Sequence, residues 1–328
     1  MLAFLSILFS YLLGVARMKQ TVIAIVGPTA VGKTQLSINL AKKFGGEIIS
    51  GDSMQVYRGM DIGTAKIKPE EKQGIPHYMI DIRDPNEPFT VADFQSHVQS
   101  YIKKIIDRKK TPIIVGGSGL YIQAALYDYN FAKQERNREV VNKLEEELER
   151  FGITPLYQRL TEIDPIQASK IHPNNHRRVI RALEIYETTG LTMSEYQDNQ
   201  RKDSPYNLIF IGLEMERKVL YERINNRVDE MIEEGLLNEV ESLLNQNLES
   251  SQSMQAIGYK EFIPYYKGEY DLERAIELLK RNSRRYAKRQ YTWFKNKLNV
   301  TWYDISPQSL NEDFKIIFEN LAGILNNR

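Results

Sequence analysis

The sequence contains no cysteine in its 328 residues. The chain therefore forms no disulfide bond, no thiolate zinc site and no cysteine nucleophile, and it is compatible with a reducing compartment. Histidine is also scarce, with four residues in the chain. Neither His77 nor His172 has neighbours at the spacing of a metal site, so we interpret both as structural residues.

The sequence also lacks a clear membrane-spanning run near its start, because the apolar stretch from Leu2 to Leu13 is shorter than about twenty residues. No Lys or Arg precedes this stretch, which argues against a signal peptide, although Gly14-Val15-Ala16 resembles a cleavage site. The alternative is that translation starts at Met18, directly before the first predicted strand. We favour that alternative, so residues 1–17 are expected to be a dispensable leader or a misassigned start of a cytoplasmic enzyme without membrane contact.

An overall excess of one charge sign is absent too, since 44 basic and 43 acidic residues give a formal net charge of +1. A near-zero average does not exclude a nucleic-acid partner when charge is unevenly distributed along the chain. The apolar fraction of 42% and the charged fraction of 27% are typical of soluble globular proteins. At this length we expect a core domain with one substantial addition, and a monomer by default.

A glycine-containing loop follows the first predicted strand, Val22 to Val26. Its residues fit the pattern G-x-x-x-x-G-K-[ST], and they are Gly27, Pro28, Thr29, Ala30, Val31, Gly32, Lys33 and Thr34. Such a loop turns its backbone N–H groups toward a polyphosphate, and the dipole of the following helix adds to the attraction. Lys33 supplies a positive charge, and Thr34 supplies a hydroxyl ligand for Mg²⁺. The strand before the loop and the helix after it argue against an accidental turn.

The rest of the chain alternates β-rich runs with helical patterns before one long helical stretch. The runs are Glu47 to Ser50, His77 to Ile82, Pro112 to Val115 and Asn207 to Leu213. Such alternation predicts a parallel sheet covered on both faces. From about Tyr127 to Ser204 the pattern predicts four helices and no strand, with starts near Glu135, Pro155, Pro165 and Asn175.

The expected fold class is therefore α/β, a P-loop-type doubly wound parallel sheet with an all-helical insertion domain. The sheet and the C-terminal helices are expected in residues 18–127 and 205–328, and the insertion domain in residues 128–204. After the strand that begins at Asn207, only helices are predicted.

Asp52 follows the short strand Glu47 to Ser50 through Gly51. If this strand neighbours the strand before the phosphate-binding loop, its carboxyl end faces the same crevice. Asp52 is then a general base or an indirect Mg²⁺ ligand. The alternative is a carboxylate that only caps a helix or a turn, and the residues alone leave both roles open.

A second glycine-rich turn, Gly116-Gly117-Ser118-Gly119, ends the strand Pro112 to Val115. Three glycines in four residues allow a ligand to approach the backbone closely, and Ser118 offers a hydroxyl at the same crevice. A tight turn from strand to helix is the alternative. Either interpretation places the turn at the edge of the sheet where the phosphate-binding loop lies.

Basic residues are concentrated near the C-terminus, where residues 281–297 contain seven of them and no acidic residue. On a helix, Arg281, Arg284, Arg285 and Lys288 form one stripe, which suits a phosphate backbone better than a merely solvated surface. The aromatic residues among them either stack on unpaired bases or, as we favour, pack in the core. They are Tyr286, Tyr291, Trp293 and Phe294.

Two smaller arginine groups lie on other predicted helices. Arg177, Arg178 and Arg181 open the fourth helix of the insertion. Arg223 and Arg227 are four residues apart on the helix after the last predicted strand, so one or both can reach a diphosphate as a cationic clamp. Exposed surface arginines are the alternative for each group.

Taken in order, these motifs resemble the tRNA dimethylallyltransferase family. The matching segments are Gly27 to Thr34, Asp52 to Tyr57, Met60 to Lys66, Asp81 to Pro85, Gly116 to Tyr121, Ile171 to Asn174, Gly258 to Lys260 and Ala287 to Trp293. The resemblance extends over nearly everything from Val22 to Trp302. It is far more specific than the phosphate-binding loop alone.

The resemblance implies transfer of a dimethylallyl group from dimethylallyl diphosphate to N6 of the adenosine next to the anticodon on its 3′ side, with release of diphosphate. The loop of Gly27 to Thr34 would hold the diphosphate. Lys33, Mg²⁺ at Thr34 and Arg227, together with Arg223, would neutralise the leaving group. Asp52 would be the general base for the attacking amine.

The resemblance also implies that the anticodon stem-loop of tRNA is the partner and that its target base is flipped out of the stack. The implied tRNA contacts are Asp52, Ser53, Met54, Gln55, Ser118, Arg177, Arg178, Val179, Ile180, Arg181, Gln255, Ala256, Ile257, Gly258, Tyr259 and Lys260. The basic stripe adds Arg284 and Lys288.

Two other functions are compatible with the loop. A small-molecule P-loop kinase would explain the loop and Asp52, but it leaves the basic segment and the helical insertion without a role. A nucleotide-dependent RNA-binding switch is the other, and the sequence has no clear Asn-Lys-x-Asp run for guanine recognition. We therefore favour prenyl transfer.

Overall fold

The computed structural model describes residues 19–129, 137–199 and 203–326. The chain divides into two compact units, of which one, Tyr127–Asp203, we call the helical unit. The chain on either side of it forms the other, which we call the core unit. The proposed leader and the alternative start at Met18 lie outside the described residues.

Six strands and thirteen α-helices are assigned within the described residues. In chain order they are Thr21–Val26 (β1), Lys33–Phe44 (α1), Gly46–Ser50 (β2), His77–Tyr78 (β3), Val91–Asp107 (α2), Thr111–Gly116 (β4), Gly119–Leu126 (α3), Arg138–Phe151 (α4), Ile153–Ile163 (α5), Pro165–Ala168 (α6), His176–Thr189 (α7), Met193–Asp198 (α8), Asn207–Glu214 (β5), Arg217–Glu233 (α9), Leu236–Asn245 (α10), Ile263–Tyr266 (α11), Leu272–Lys297 (α12), Thr301–Asp304 (β6) and Leu310–Asn326 (α13). A 3₁₀ turn, Ser253–Gln255, precedes α11. No helix among the described residues is long and apolar enough to cross a membrane.

The core unit is built on one sheet with the strand order β3-β2-β4-β1-β5-β6. Every neighbouring pair is parallel. The central strand β1 is fully buried from Val22 to Val26, as expected for a strand covered on both faces. The predicted α/β fold with a doubly wound parallel sheet is therefore confirmed.

The strand order differs from the expectation in one respect that concerns the site. We expected β2 to neighbour β1, but β4 lies between them, because Ile113 is paired with both Ile23 and Ile48. The carboxyl ends of parallel strands nevertheless meet at one edge of the sheet. The loops after β1, β2 and β4 therefore still lie together.

Two strands differ from the predicted pattern. The run from His77 to Ile82 was expected to be one strand, but only His77–Tyr78 pairs, since Met79 and Asp81 have φ angles of 65° and 55° that break an extended chain. Strand β6 was not predicted. It is four residues long and partly exposed at the sheet edge, so it has no pattern of alternating burial.

The helical unit has its own apolar core, which includes Leu144, Leu156, Leu160 and Leu183. Its first described helix begins at Arg138, and the expected helix start near Glu135 lies outside the described residues. Helix α8 was not predicted. Its signal was a capping box, in which the Thr192 side chain accepts from the Glu195 backbone and the Glu195 side chain accepts from the Thr192 backbone.

Candidate active site

The phosphate-binding loop leaves β1 through a backbone that only glycine permits at two positions. Gly27 has φ 143°, and a Cβ atom there would lie 2.6 Å from the carbonyl oxygen of Leu213. Gly32 has φ 104° and is the residue before α1. The loop therefore curls over the carboxyl end of β1 and delivers Lys33 and Thr34 to the first turn of a helix.

Lys33 turns back over this loop. Its Nζ donates to the carbonyl oxygens of Gly27 at 3.0 Å and Pro28 at 2.6 Å. The pKa of Lys33 is lowered to about 7, mainly by burial and also by the Arg227 charge, while the Asp52 carboxylate acts in the opposite direction. A bound anion would favour the charged ammonium form, so the free site is arranged to accept negative charge.

Asp52 follows β2 and faces the same space. Its Oδ1 accepts from the backbone N–H of Met54 at 2.8 Å, so the residue does form the turn considered from the sequence. Burial raises the pKa of its carboxyl group, while backbone N–H groups of Met54 and Gln55 and the Lys33 charge partly offset the shift. A carboxylate that is less stable in its charged form is a better proton acceptor.

Two arginines of α9 complete the cationic side. The Arg223 Nε donates to the carbonyl oxygen of Ala30 at 3.0 Å, which attaches α9 to the phosphate-binding loop. Burial lowers the pKa of Arg227, one helical turn later, and the Arg223 charge adds to this effect, whereas the Glu230, Glu71 and Glu234 carboxylates act in the opposite direction. The same space is lined by three carboxylates, those of Asp52, Glu71 and Glu230. Lys33, Arg223 and Arg227 are the three cations there that can donate hydrogen bonds to an anion.

A cavity of about 590 Å³ joins these groups. The predicted site residues that line it are Thr29, Ala30, Val31, Gly32, Lys33, Thr34, Asp52, Gln55, Arg223 and Arg227. Gly27 and Pro28, the first two residues of the loop, are buried. The catalytic residues expected from the sequence therefore converge on one space.

A second cavity of about 260 Å³ adjoins the first and is mainly apolar. Its apolar lining includes Met54, Ile224, Val228, Met231, Ala256, Ile257 and Leu279. Asp52, Arg227 and Tyr286 line both cavities. The Asp52 carboxylate therefore lies at the junction between a cavity lined by charged side chains and an apolar cavity.

Comparison with known proteins identifies the family. The model of the IPP transferase family matches residues 55–297. The chain belongs to the IPP transferase family. Over 308 residues it is 59% identical to the tRNA dimethylallyltransferase of Oceanobacillus iheyensis, with 94% of this chain and 98% of that protein covered.

Solved structures of IPP transferases share the fold. The full-length tRNA isopentenylpyrophosphate transferase of Bacillus halodurans is 51% identical with a TM-score of 0.71, and 94% of this chain and 97% of that chain are covered. A eukaryotic dimethylallyltransferase acting on tRNA is 36% identical with a TM-score of 0.77, covering 88% of this chain and 75% of that one. The small-molecule kinase considered as an alternative is wrong, because the relatives are IPP transferases.

The glycine-rich turn after β4 contacts both α12 and the larger cavity. A Cβ atom at Gly117 would lie 1.9 Å from Nε2 of Gln290, and one at Gly119 would lie 2.2 Å from Cε3 of Trp293. These two glycines thus admit side chains of α12, and Gly116 and Gly117 also line the larger cavity. Ser118 is 9% exposed, and its hydroxyl accepts from the Ser53 backbone N–H at 3.2 Å.

The expected tRNA contacts are divided between surface and interior. In the helical unit, Arg177 and Arg178 are exposed and Arg181 pairs with the buried Glu184 at 2.9 Å. The assignment of Val179 and Ile180 to tRNA is wrong for their side chains. Both are buried in the core of the helical unit.

A similar division holds for residues 255–260. Gln255 and Lys260 are exposed, whereas Ala256 and Ile257 line the apolar cavity. The expected role of Tyr259 is wrong for its side chain, because it is fully buried and its hydroxyl donates to Glu239 at 2.7 Å. Gly258 is buried beside it.

The predicted basic stripe on α12 is not a single exposed surface. Arg285 and Lys288 are exposed, but Arg284 is half-buried and its Nη1 donates to Oδ1 of Asn225 on α9 at 2.5 Å. The preference for core packing of the aromatic residues is confirmed for Phe294, which is fully buried.

Two residues of α12 lie at the site although the sequence did not predict this position for them. Tyr286 and Gln290 both line the larger cavity. They are four residues apart, so they lie on one face of the helix. That spacing was visible in the sequence, but it did not indicate that this face meets the phosphate-binding loop.

Proposed function

We propose that the chain transfers a dimethylallyl group from dimethylallyl diphosphate to N6 of the adenosine adjacent to the anticodon of tRNA on its 3′ side, releasing diphosphate. The observation that carries the proposal is the position of Asp52 at the junction of an apolar cavity and a charged cavity that contains Lys33, Arg223 and Arg227. An allylic diphosphate has one charged end and one apolar end, so it matches this pair of spaces. The named activity of the IPP transferase relatives supports the same reaction.

The charged end of the donor fits the larger cavity. Lys33, Arg223 and Arg227 bring positive charge to it, and the loop and the first turn of α1 add backbone N–H groups. The five-carbon group fits the apolar cavity beside Ile224, Val228 and Met231. Binding at both ends would hold the bond to be broken next to Asp52.

The transfer needs one bond broken, one formed and one proton removed. The bond between the allylic carbon and the diphosphate oxygen breaks, and the electron pair leaves with the diphosphate toward Lys33 and Arg227. The N6 amine of adenine forms the new bond to that carbon. Asp52 accepts the N6 proton, and its raised pKa suits this role.

The donor set suits Mg²⁺ only in combination with a phosphate ligand. No group of three or more His, Asp or Glu residues with metal-site geometry occurs among the residues that the structure describes. Mg²⁺ at phosphate sites commonly takes one or two protein oxygens and completes its shell with phosphate and water. The exposed Thr34 lines the cavity beside Lys33, so its hydroxyl is the proposed protein ligand, and the bound ion would supply further charge neutralisation of the leaving group.

The acceptor must bring a single base to Asp52. An adenine stacked in the anticodon loop cannot enter a cavity of this size with its neighbours, so we propose that it is flipped out of the stack. Exposed cations suit the RNA backbone. The candidates are Arg177 and Arg178 in the helical unit, and Lys260, Arg285 and Lys288 in the core unit.

The test is to mix the protein with Mg²⁺, unmodified tRNA and dimethylallyl diphosphate, and to weigh the tRNA by mass spectrometry. The expected result is a mass increase of one dimethylallyl group on the nucleoside beside the anticodon. ATP in place of the donor should leave the mass unchanged. Unmodified tRNA after incubation with the intact donor would overturn the proposal.

A further inference from the structure

A buried glutamine connects the two sides of the proposed site. Gln290 lies on α12 and is 5% exposed. Its Oε1 accepts from the backbone N–H of Thr29, in the phosphate-binding loop, at 2.9 Å. These residues are 261 positions apart in the chain, so the contact is purely tertiary.

The same side chain also faces the turn after β4. Its Nε2 occupies the space where a side chain of Gly117 would be, 1.9 Å from the position of a Cβ atom. A larger residue at Gly117 would therefore displace the amide from Thr29. The close approach fixes the amide between the two loops.

The connection continues through Tyr286. Burial raises the pKa of Tyr286 to about 12, and the side chains of Ser118 and Gln290 act in the opposite direction, so both lie close to its hydroxyl. The Ser118 hydroxyl in turn donates to the Ser53 hydroxyl at 3.3 Å and accepts from the Ser53 backbone N–H at 3.2 Å. Ser53 directly follows Asp52, the proposed base.

We infer that Gln290 is a positioning residue that couples occupancy of the phosphate-binding loop to the arrangement of the Asp52 side of the cavity. The inference rests on the proposed function, because it assigns the diphosphate and the base to these two sides. The path from Thr29 to Ser53 runs through Gln290, Tyr286 and Ser118. Gln290 also lines the larger cavity, but the role inferred for it runs through the two loops that hold the reacting groups.

The physical reason is that a buried hydrogen-bonded chain has few alternative arrangements. Gln290 and Ser118, in the middle of this chain, are buried, so a shift at Thr29 cannot be absorbed by water at Gln290. A ligand that orders one end therefore changes the free energy of ordering the other end. Such coupling is reciprocal between the two ligands.

The experiment measures that coupling directly. The dissociation constant of inorganic diphosphate is determined by calorimetry in the presence of Mg²⁺, with and without a saturating anticodon stem-loop RNA. For the wild-type protein we expect tighter diphosphate binding with RNA, by on the order of tenfold. The same ratio is then measured for Gln290→Leu, which keeps the volume but removes both polar atoms, and for Tyr286→Phe, which keeps the ring.

Both substitutions should bring the ratio close to one, and the double variant should reduce the coupling no more than either substitution alone, because the residues act in one chain. Thr292→Ala is the matched control, since Thr292 is exposed on the same helix and its hydroxyl donates only to the Lys288 carbonyl within that helix. It should retain the wild-type ratio. Melting temperatures separate a folding defect from an effect on coupling, and if Gln290→Leu does not fold, Tyr286→Phe decides the question.

A wild-type ratio of one, or an unchanged ratio in folded Gln290→Leu and Tyr286→Phe, overturns this inference. Those results leave prenyl transfer intact if the wild-type protein still modifies tRNA. Conversely, a protein that shows the coupling but transfers no dimethylallyl group would overturn the proposed function alone.

Discussion

Lys33 and Asp52 line one cavity with opposite charges, and each favours the charged form of the other. Burial acts against both charges and has the larger effect, because it lowers the pKa of Lys33 and raises that of Asp52. The pair is therefore incompletely stabilised without a ligand. A diphosphate at Lys33 and an amine at Asp52 would each supply the interaction that the charged side chain lacks in the free site.

Replacing the proposed base should reduce turnover more than binding. We expect Asp52→Ala to lower kcat by on the order of a hundredfold or more, while the affinity for tRNA changes little. Single-turnover kinetics and RNA-binding assays on the same preparation check this. Full activity in the variant would remove Asp52 as the base.

The same carboxylate should determine the acidic limb of the pH profile. The base must be ionised, so kcat should fall as the pH decreases through the pKa of Asp52. Because burial raises this pKa, the midpoint should lie above about 3.9, the ordinary value for aspartate. Rate measurements over a range of pH at saturating substrates test the direction, and a midpoint at or below the ordinary value would contradict it.

Removing the ammonium group of Lys33 should weaken binding of diphosphate at the charged end of the donor site. For Lys33→Met we expect the affinity for inorganic diphosphate to fall by at least about tenfold, as expected when a charge-assisted hydrogen bond is removed. The matched control is Lys43→Met on the same helix, whose ammonium lies 5.1 Å from the Phe318 ring centroid. Equal affinities of the two variants would place the diphosphate elsewhere.

The hydroxyl of Thr34 should set the requirement for Mg²⁺. We expect Thr34→Val to raise the Mg²⁺ concentration needed for half-maximal activity, because it removes the proposed protein oxygen ligand. Thr34→Ser keeps that oxygen and should behave like the wild-type protein. Identical Mg²⁺ titrations for the Val and Ser variants would show that Thr34 does not bind the ion.

The close packing of α12 on the turn after β4 should be sensitive to a single methyl group. Gly119→Ala places a Cβ atom 2.2 Å from Trp293, and we expect the free energy of unfolding to decrease by about 1–3 kcal/mol. Gly323→Ala on α13 is the control, since its Cβ atom would meet nothing within 4 Å. That change should increase stability by about 0.5–1 kcal/mol, as measured by denaturant unfolding.

The exposed cations of α12 should contribute to RNA affinity through the phosphate backbone. Replacing Arg285 and Lys288 together with alanine should weaken tRNA binding and reduce its dependence on salt, by a slope of about 0.7–0.9 for each phosphate that the variant no longer neutralises. Lys315→Ala, also an exposed position, is the control. A salt dependence equal to that of the control would assign the two residues to a solvated surface.

The sequence alone determined the features that depend on local chemistry. The order of glycines, Lys33 and Thr34 specified the phosphate-binding loop, because that backbone path and that charge need those residue types at that spacing. The apolar runs predicted the parallel sheet and the helical stretch, since burial on both faces of a strand leaves a continuous pattern. The positions of Asp52, Arg223 and Arg227 after strands predicted that they share one site, because the carboxyl ends of parallel strands meet at one edge of the sheet.

The tertiary structure decided what depends on distant partners. It placed β4 between β1 and β2, and it turned Val179, Ile180 and Tyr259 into the interior. It also brought Gln290 to Thr29 across most of the chain. The spacing of residues in the sequence predicts which of them share a helical face. The element that covers this face depends on how the whole core packs, and that packing leaves no local pattern in the sequence.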